Sequence, residues 1–429
     1  RYLGPDWYMG SQRPENTKRI DEIYNEELWR SHEINRARLV RTCREQLVAQ
    51  YKRRNAPRKV LDSIEKTLAP DVLTIVFARR FATYKRAFLL IQDPQRLEAL
   101  INNEHCPIQF IFAGKAHPRD NEGKGLVQQI YQFANRPSVR NRFVFLENYD
   151  MHLARHLLQG ADVWLNTPRR PFEACGTSGM KAAINGAVNF SILDGWWCEG
   201  YRDAAGWSIG NGEEYEDHAF QDAVESQALY NILENEVVPC FYDRKNGDLP
   251  AGWLIKMKAS MKMAMEKFCS LRMVMEYSEK LYTPAARWHA ALTAEGCAEA
   301  ARLADRMARL QTHWKSVSIG QPTREVHGPQ RVGDAFEVTV EVRLGELLPE
   351  EVDVELYYGH YKSFSELTDS RVIPMQVIEA CGNGSFRYGC SLACDTAGRF
   401  GFSARATPRG DDWIKFFPGL ITWAEEQPA

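Results

Sequence analysis

The chain has 429 residues, with 54 Lys and Arg against 56 Asp and Glu and a formal net charge of −2. That length leaves room for two or three domains with their own cores. The near balance of charge excludes a basic nucleic-acid tail or an electrostatic membrane anchor, and no apolar run approaches the roughly eighteen residues of a membrane span.

In chain order, RYLGPDWYMGSQRPEN reads as a loop that opens on Arg1 rather than Met. The expectation is that the natural protein starts far earlier and that this is its C-terminal portion. Residues 16–56 carry Ile20, Ile23, Tyr24, Leu28, Ile34, Leu39, Leu47 and Tyr51 at helical spacing, so residues 1–60 are predicted to be a helical lead-in. From residue 71 the texture changes. Short apolar runs (LTIVFA 73–78, IQFIFAG 108–114, RFVFLENY 142–149, ADVWLN 161–166, AVNFSIL 187–193) alternate with helical stretches at 85–99, 123–134, 150–160 and 179–185. Continuous apolar strands between helices predict an α/β domain, 61–217, with a parallel sheet covered on both faces. Ligands of such sheets sit at the carboxyl ends of the strands.

Residues 218–315 read as a further helical domain whose methionines are core filler. After Trp314, FEVTVEVRL, VDVELYYGHY, SFRYGCSLA and GFSARAT alternate apolar and polar residues between turns, which predicts a small all-β sandwich over 316–429. The ten cysteines (43, 106, 175, 198, 240, 269, 297, 381, 390, 394) form no Cys-x-x-Cys pair, and read as reduced thiols of a cytoplasmic protein with no metal site.

The candidate chemistry lies in two segments. ARRFATYKR, residues 78–86, sets Arg79, Arg80, Lys85 and Arg86 behind the strand LTIVFA, where cations call for an anionic partner. PRRPFEACGTSGMKAAINGAVNFSILDGWW, residues 168–197, carries Glu173, the turn Gly176-Thr177-Ser178-Gly179 and then Lys181. Backbone N–H groups at such a turn and helix start face an anion. Lys181 is then either a solvent-facing helix lysine or a Schiff-base lysine beside a phosphate cup. Glu173 is either a helix-start charge or a ligand group. Cys175 beside it invites a nucleophile reading but has no neighbouring His. His32, His152 and His156 read as ordinary surface or core residues.

EACGTSGMKAAINGAVNFSILDGWWCEGY resembles the cofactor segment of the α-glucan (glycogen/starch/maltodextrin) phosphorylases, in their short bacterial and archaeal branch. ARRFATYKR, FAGKAHP and ENYDMHLARHLLQGADVWLNTPRRPFEA resemble the same branch in the same order, over residues 15–315. The resemblance implies the C-terminal half of a GT-B glycosyltransferase fold, a Rossmann-like domain that faces an N-terminal domain of the same protein. It implies pyridoxal 5′-phosphate carried on Lys181, with Thr177, Ser178, Gly179, Arg79 and Tyr149 around it. It implies Arg80 and Lys85 on the substrate phosphate, and Glu173, Cys175 and Gly176 on the reacting glucose. Cys175 departs from the family's more usual serine.

The implied reaction is retaining phosphorolysis of an α-1,4-glucan or maltodextrin. Inorganic phosphate releases α-glucose-1-phosphate, and the cofactor's 5′-phosphate acts as proton shuttle. The implied partners are those small molecules and the N-terminal domain, with no nucleic acid and no membrane, and a homo-oligomer is allowed. One alternative is a nucleotide-sugar glucan synthase of the same fold. It would need a glutamate where Lys181 stands, because an ammonium cannot accept hydrogen bonds from a ribose diol. The other is a non-catalytic glucan-binding protein that uses Tyr357, Tyr358, Tyr361 and Trp413 of the β domain.

Overall fold

The computed structural model describes residues 2–4, 7–244, 248–326, 328–363 and 366–424. The described contacts fall into two units, residues 1–281 and 282–429.

In the first unit, α1 (Pro14–Lys18), α2 (Asn25–Arg53) and α3 (Arg58–Ser63) lead into β1 (Leu73–Ala78), α4 (Pro94–Ile101), β2 (Ile108–Ala113), α5 (Asn121–Ala134), β3 (Phe143–Leu146), α6 (Met151–Gly160), β4 (Val163–Asn166), α7 (Thr177–Ile184), β5 (Val188–Ile192), α8 (Trp196–Gly200) and β6 (Gly206–Ile209). Then come α9 (His218–Ile232), α10 (Val238–Tyr242), α11 (Ala251–Lys267) and α12 (Ser270–Tyr277). All six strands are parallel, in the order β3-β2-β1-β4-β5-β6. This doubly wound order reverses direction between β1 and β4, and that crevice is where such sheets bind ligands.

The strands read as mostly apolar runs because both faces are buried, and their polar exceptions Thr74, Gln109, Asn166, Asn189 and Ser191 are buried too. Ile75, Phe77, Phe110, Phe112 and Phe143 enter one core with Trp253 and Leu254 of α11. Their neighbours Val76, Ala78, Ile111, Val144 and Trp164 point the other way, into a core shared with Leu39, Cys43 and Leu47 of α2 and Leu157 of α6. Helices α2 and α6 cross at Gly160. A Cβ there would lie 2.6 Å from Leu39 Cβ and 2.7 Å from the Asn35 carbonyl, so only glycine permits the approach.

Two stretches depart from the sequence expectation. The helix expected from Lys85 starts only at Pro94, because Arg86 takes the left-handed conformation (φ 47°) and Asp93 caps α4 by accepting from the Arg96 N–H. Strand β6 lies outside the sequence expectation. Its four residues, GWSI, give too short an apolar signal, and among the described residues it pairs only with β5.

At the opposite end of the β1–β4 pair, Asp162 is fully buried. Its Oδ1 accepts from Arg36 Nη1 at 2.6 Å and faces His32 Nε2 at 2.7 Å, and its Oδ2 accepts from the Thr74 N–H at 2.8 Å. His32 is thus a core residue with a charge partner. Arg36 Nε also donates to the Pro70 carbonyl at 2.6 Å.

The second unit begins with α13 (Thr283–Thr293) and α14 (Ala298–His313). Then come β7 (Ser318–Ile319), β8 (Thr323–Arg324), β9 (Ala335–Arg343), β10 (Val352–Ser363), β11 (Glu366–Pro374), β12 (Gln376–Gly382), β13 (Ser385–Ala393), β14 (Phe400–Pro408), α15 (Asp412–Lys415) and β15 (Thr422–Trp423). Two antiparallel sheets form, ordered β11-β10-β14-β15 and β12-β13-β9-β7, with β8 also on β9. Alternate residues of β9 (Phe336, Val338, Val340, Val342) and β10 (Val352, Val354, Leu356) enter one core, joined by Met307 and Leu310 of α14. Asn383 and Gly384, both at positive φ, close the β12–β13 hairpin as a tight two-residue turn.

Burial alone would raise the Asp162 carboxyl, but Arg36, His32 and the Thr74 N–H together hold it below the usual carboxylate range. A depressed folded value contributes stability above the unfolded value of about 3.9, and that stability is lost as pH falls through the folded value. Asp162→Asn is therefore expected to lower the melting temperature at pH 7, with the gap from wild type narrowing below about pH 4. A pH-independent gap in thermal melts would contradict this.

Candidate active site

The reversal between β1 and β4 sets two chain segments side by side. Leaving β1, the backbone presents Arg79 and Arg80 and turns back at Tyr84–Arg86. Leaving β4, it runs through Thr167–Arg170 to Glu173. The Glu173 carboxylate joins them. Its Oε2 forms an ion pair with Lys85 Nζ and lies 3.4 Å from Arg79 Nη2. All three side chains are about nine-tenths buried. The anion that Lys85 faces here is thus a carboxylate of the chain itself. Arg79 also donates to Asn166 Oδ1 at the end of β4. Burial lowers the Arg79 proton affinity, opposed by Glu173, Tyr84 and Tyr149. Tyr149 stands after β3, and burial raises its phenol against the pull of Arg79.

Arg86 has a different role from its neighbours. Fully buried, it donates to the Thr167 and Pro168 carbonyls at 3.1 and 2.7 Å and to Asp222 Oδ1 at 2.9 Å, and pairs with Glu225. Arg169 reaches the other oxygen of Asp222 at 2.8 Å. Helix α9 therefore holds both the left-handed turn after Lys85 and the loop after β4. Thr167 Oγ1 donates to the carbonyls of Lys85 and Arg86, which fixes the lysine's backbone.

The Glu173–Gly176 loop is pinned from the far side. Asp194 Oδ2 accepts from the Glu173 N–H at 2.8 Å and Oδ1 from the Gly195 N–H at 2.9 Å, while the Trp196 N–H donates to the Cys175 carbonyl. Burial raises the Asp194 carboxyl despite those two donors. A side chain at Gly195 would begin 2.5 Å from the Cys175 carbonyl, so the backbones touch there. The Asp-Gly dipeptide in FSILDGWW signals a turn, and it is the feature from which this support was legible. Cys175 is exposed at the loop tip. Partial burial of its thiol, with Glu173 and Glu199 nearby, raises its pKa, which disfavours the thiolate a nucleophile needs.

Gly176, left-handed at φ 84°, starts α7, and Glu173 Oε1 lies 3.5 Å from where its Cβ would stand. The cation cluster therefore abuts the start of that helix. The Gly179 N–H bonds back to the Gly176 carbonyl, so it is the Thr177 and Ser178 N–H groups that point out of the first turn. Ser178 Oγ accepts from Trp164 Nε1 at 3.3 Å. Gly179 faces inward, where a Cβ would meet Asn189 Oδ1 and Trp196 Nε1 at 2.7 Å. Lys181 follows Thr177 by four residues, one turn on along the same face, and is exposed. Among the described residues, the side chains of Lys181 and Arg80 have no ion-pair or hydrogen-bond partner. The site thus brings Arg79, Lys85, Glu173, Gly176 and Tyr149 into one cluster, and no described contact links Arg80 or Lys181 to it.

Asp222→Ala is expected to cost about 3–5 kcal/mol, since it leaves two buried guanidinium groups short of their shared partner. Urea unfolding at neutral pH measures this, and a change below about 0.5 kcal/mol would place the network among ordinary surface pairs.

Comparison with known proteins matches residues 16–206 to the carbohydrate phosphorylase family and residues 314–425 to the glycogen phosphorylase C-terminal domain. The glycogen phosphorylase of Mycobacterium tuberculosis is 38% identical over 394 residues, 91% of this chain and 46% of that protein. The maltodextrin phosphorylase of Thermococcus litoralis is 36% identical over 432 residues, 99% and 49% respectively. The glycogen phosphorylase of Aquifex aeolicus is 42% identical over 282 residues, 66% and 40%. The chain spans about half the length of the first two of these relatives. With the site's motifs lying inside the matched segments, the chain belongs to the carbohydrate phosphorylase family, in its short α-glucan phosphorylase branch.

Proposed function

We propose that this chain carries the cofactor and phosphate side of an α-glucan phosphorylase, which uses inorganic phosphate to release α-glucose-1-phosphate from the end of an α-1,4-glucan. The observation that carries the reading is the join between α7 and the β1–β4 crevice. An unpartnered lysine sits one turn above outward-facing N–H groups, and beside that helix start lies a buried cluster in which two cations share one carboxylate.

The residues fit pyridoxal 5′-phosphate. Lys181 offers the free primary amine that a phosphorylated aldehyde requires, Thr177 and Ser178 offer N–H donors at a helix N-terminus, and Arg79 with Tyr149 supplies charge and a phenol nearby. When bound, the cofactor supplies a phosphate that donates and accepts a proton beside the substrate phosphate.

The chain's own residues do the rest. Arg79 and Lys85 carry two positive charges against the single negative charge of Glu173, so the cluster retains a surplus that attracts phosphate. Arg80, exposed and unpartnered among the described residues, adds to it. Bringing two phosphates together in a partly dry site is strongly repulsive, and fixed cations and helix-end dipoles offset this without reorganising. The loop held by Asp194 orients Glu173, Cys175 and Gly176 toward the glucose. As phosphate takes over Lys85, the Glu173 carboxylate becomes available to sugar hydroxyls. A nucleotide-sugar synthase is disfavoured by an ammonium at Lys181, where an acceptor is required.

Borohydride reduction of the chain incubated with pyridoxal 5′-phosphate, followed by peptide mapping, is expected to place one pyridoxyl group on Lys181 and none on the Lys181→Ala variant. Labelling of another lysine instead would overturn the assignment. Equilibrium binding of inorganic phosphate to the labelled chain is expected to weaken by on the order of tenfold or more in Lys85→Ala and Arg80→Ala, with the label retained. Unchanged phosphate binding in both would return them to ordinary ion-pair and surface roles.

A further inference from the structure

The β-rich unit contains a cavity of about 570 Å³, in the range of small-ligand sites, and no part of the proposed catalytic site lies in it. Its floor is apolar, made by Phe336 of β9, Leu392 of β13 and Phe402 of β14. At its side the rings of His360 and Phe400 lie 4.0 Å apart, and Phe400 is 37% exposed. The rim carries Arg324, Arg371 and Arg399 against Asp369 and Asp395, and Arg371 lies 3.8 Å from Asp395.

These features constrain the ligand. The described residues contain no group of His, Cys, Asp and Glu placed to hold a metal ion. Cations and carboxylates are interleaved around the rim, so neither a polyanion nor a cation meets a field of one sign. Side chains that donate (the arginines), accept (the aspartates) and do both (Thr396, His360) face the same space as exposed ring surface. That combination suits a neutral molecule with many hydroxyl groups and apolar C–H faces, which is to say a sugar.

Of Tyr357, Tyr358 and Tyr361, it is Tyr358 that lines the cavity. Tyr357 is turned to Trp423 and bonds Ser370 Oγ at 2.6 Å, and Tyr361 packs with Arg399. The side chain of Trp413 lies outside the described residues.

We propose that this cavity is a non-catalytic binding site for the end of a neutral α-glucan chain, held by the His360–Phe400 ring pair and the mixed-charge rim. The choice of an α-glucan among sugars rests on the phosphorolysis proposed above. Such a site would tether a polymer and raise its concentration near the chain.

Electrophoresis of the full chain through native gels with and without glycogen tests it. Wild type is expected to be retarded by glycogen. Phe400→Ala and His360→Ala are expected to weaken retardation by on the order of tenfold, with thermal melts kept as a check that each variant folds. Lys181→Ala is expected to run as wild type. No retardation of wild type, or full retardation of a folded Phe400→Ala or His360→Ala variant, overturns the proposal. If Lys181 proves unlabelled while Phe400→Ala still abolishes retardation, the catalytic reading fails and the glucan site stands.

Discussion

A carboxylate sealed from water governs the parallel-sheet unit. Asp162 sits just before β4, at the point where the strand order reverses, and its oxygens are saturated by α2 and by β1. Removing such a charge from water is costly, and only close, well-placed donors offset it. The arrangement is therefore highly selective for register. β1, β4 and α2 must meet in one alignment, or a bare charge is left in the core. With that end fixed, the opposite ends of β1 and β4, only a few residues away, are delivered together. The crevice proposed for chemistry inherits its geometry from a pair of strands locked at their base.

The second layer of control lies at those opposite ends, and it too is ionic. Arg86 and Arg169 converge on Asp222 of α9, while Lys85 and Arg79 converge on Glu173. The first cluster has its carboxylates, Asp222 and Glu225, matched to its cations and serves as scaffold. The second is short of negative charge and is the proposed phosphate receptor. Two adjacent residues, Lys85 and Arg86, are assigned to opposite tasks by a single left-handed backbone conformation that turns one side chain inward to the helix and the other to the crevice.

This division explains which parts were legible in the sequence. Five of the six parallel strands were, because burial on both faces leaves LTIVFA and IQFIFA mostly apolar, with Thr74 and Gln109 as buried exceptions, and the β-rich unit was, because its exposed faces impose alternation on FEVTVEVRL. The turn after Glu173 was legible from its glycines. The partners were not. Asp222 lies 136 positions from Arg86, and Glu173 lies 88 from Lys85, so nothing local distinguishes a cation that will be neutralised from one that will remain available. The helix expected from Lys85 failed for the same reason. Its composition is helical, but the tertiary demand on Arg86 breaks it. Gly179 is a further case. It reads as a phosphate-turn glycine, yet its side-chain position points into the body of the protein against Asn189 and Trp196.

That contact at Gly179 has a mechanical meaning. A helix lying on a sheet can in principle creep along its axis or roll, and a roll of one residue swings a side chain through about 100°. With no space for even one carbon between α7 and the indole of Trp196, both motions are blocked by contact alone. The backbone that carries Lys181 is thus set by repulsive cores, which do not respond to ionic strength or pH. The grip of Lys85 and Arg79 on Glu173 is set by charge. A chain built this way keeps the start of α7 at a constant address by contact, while its cation cluster is held together by attraction.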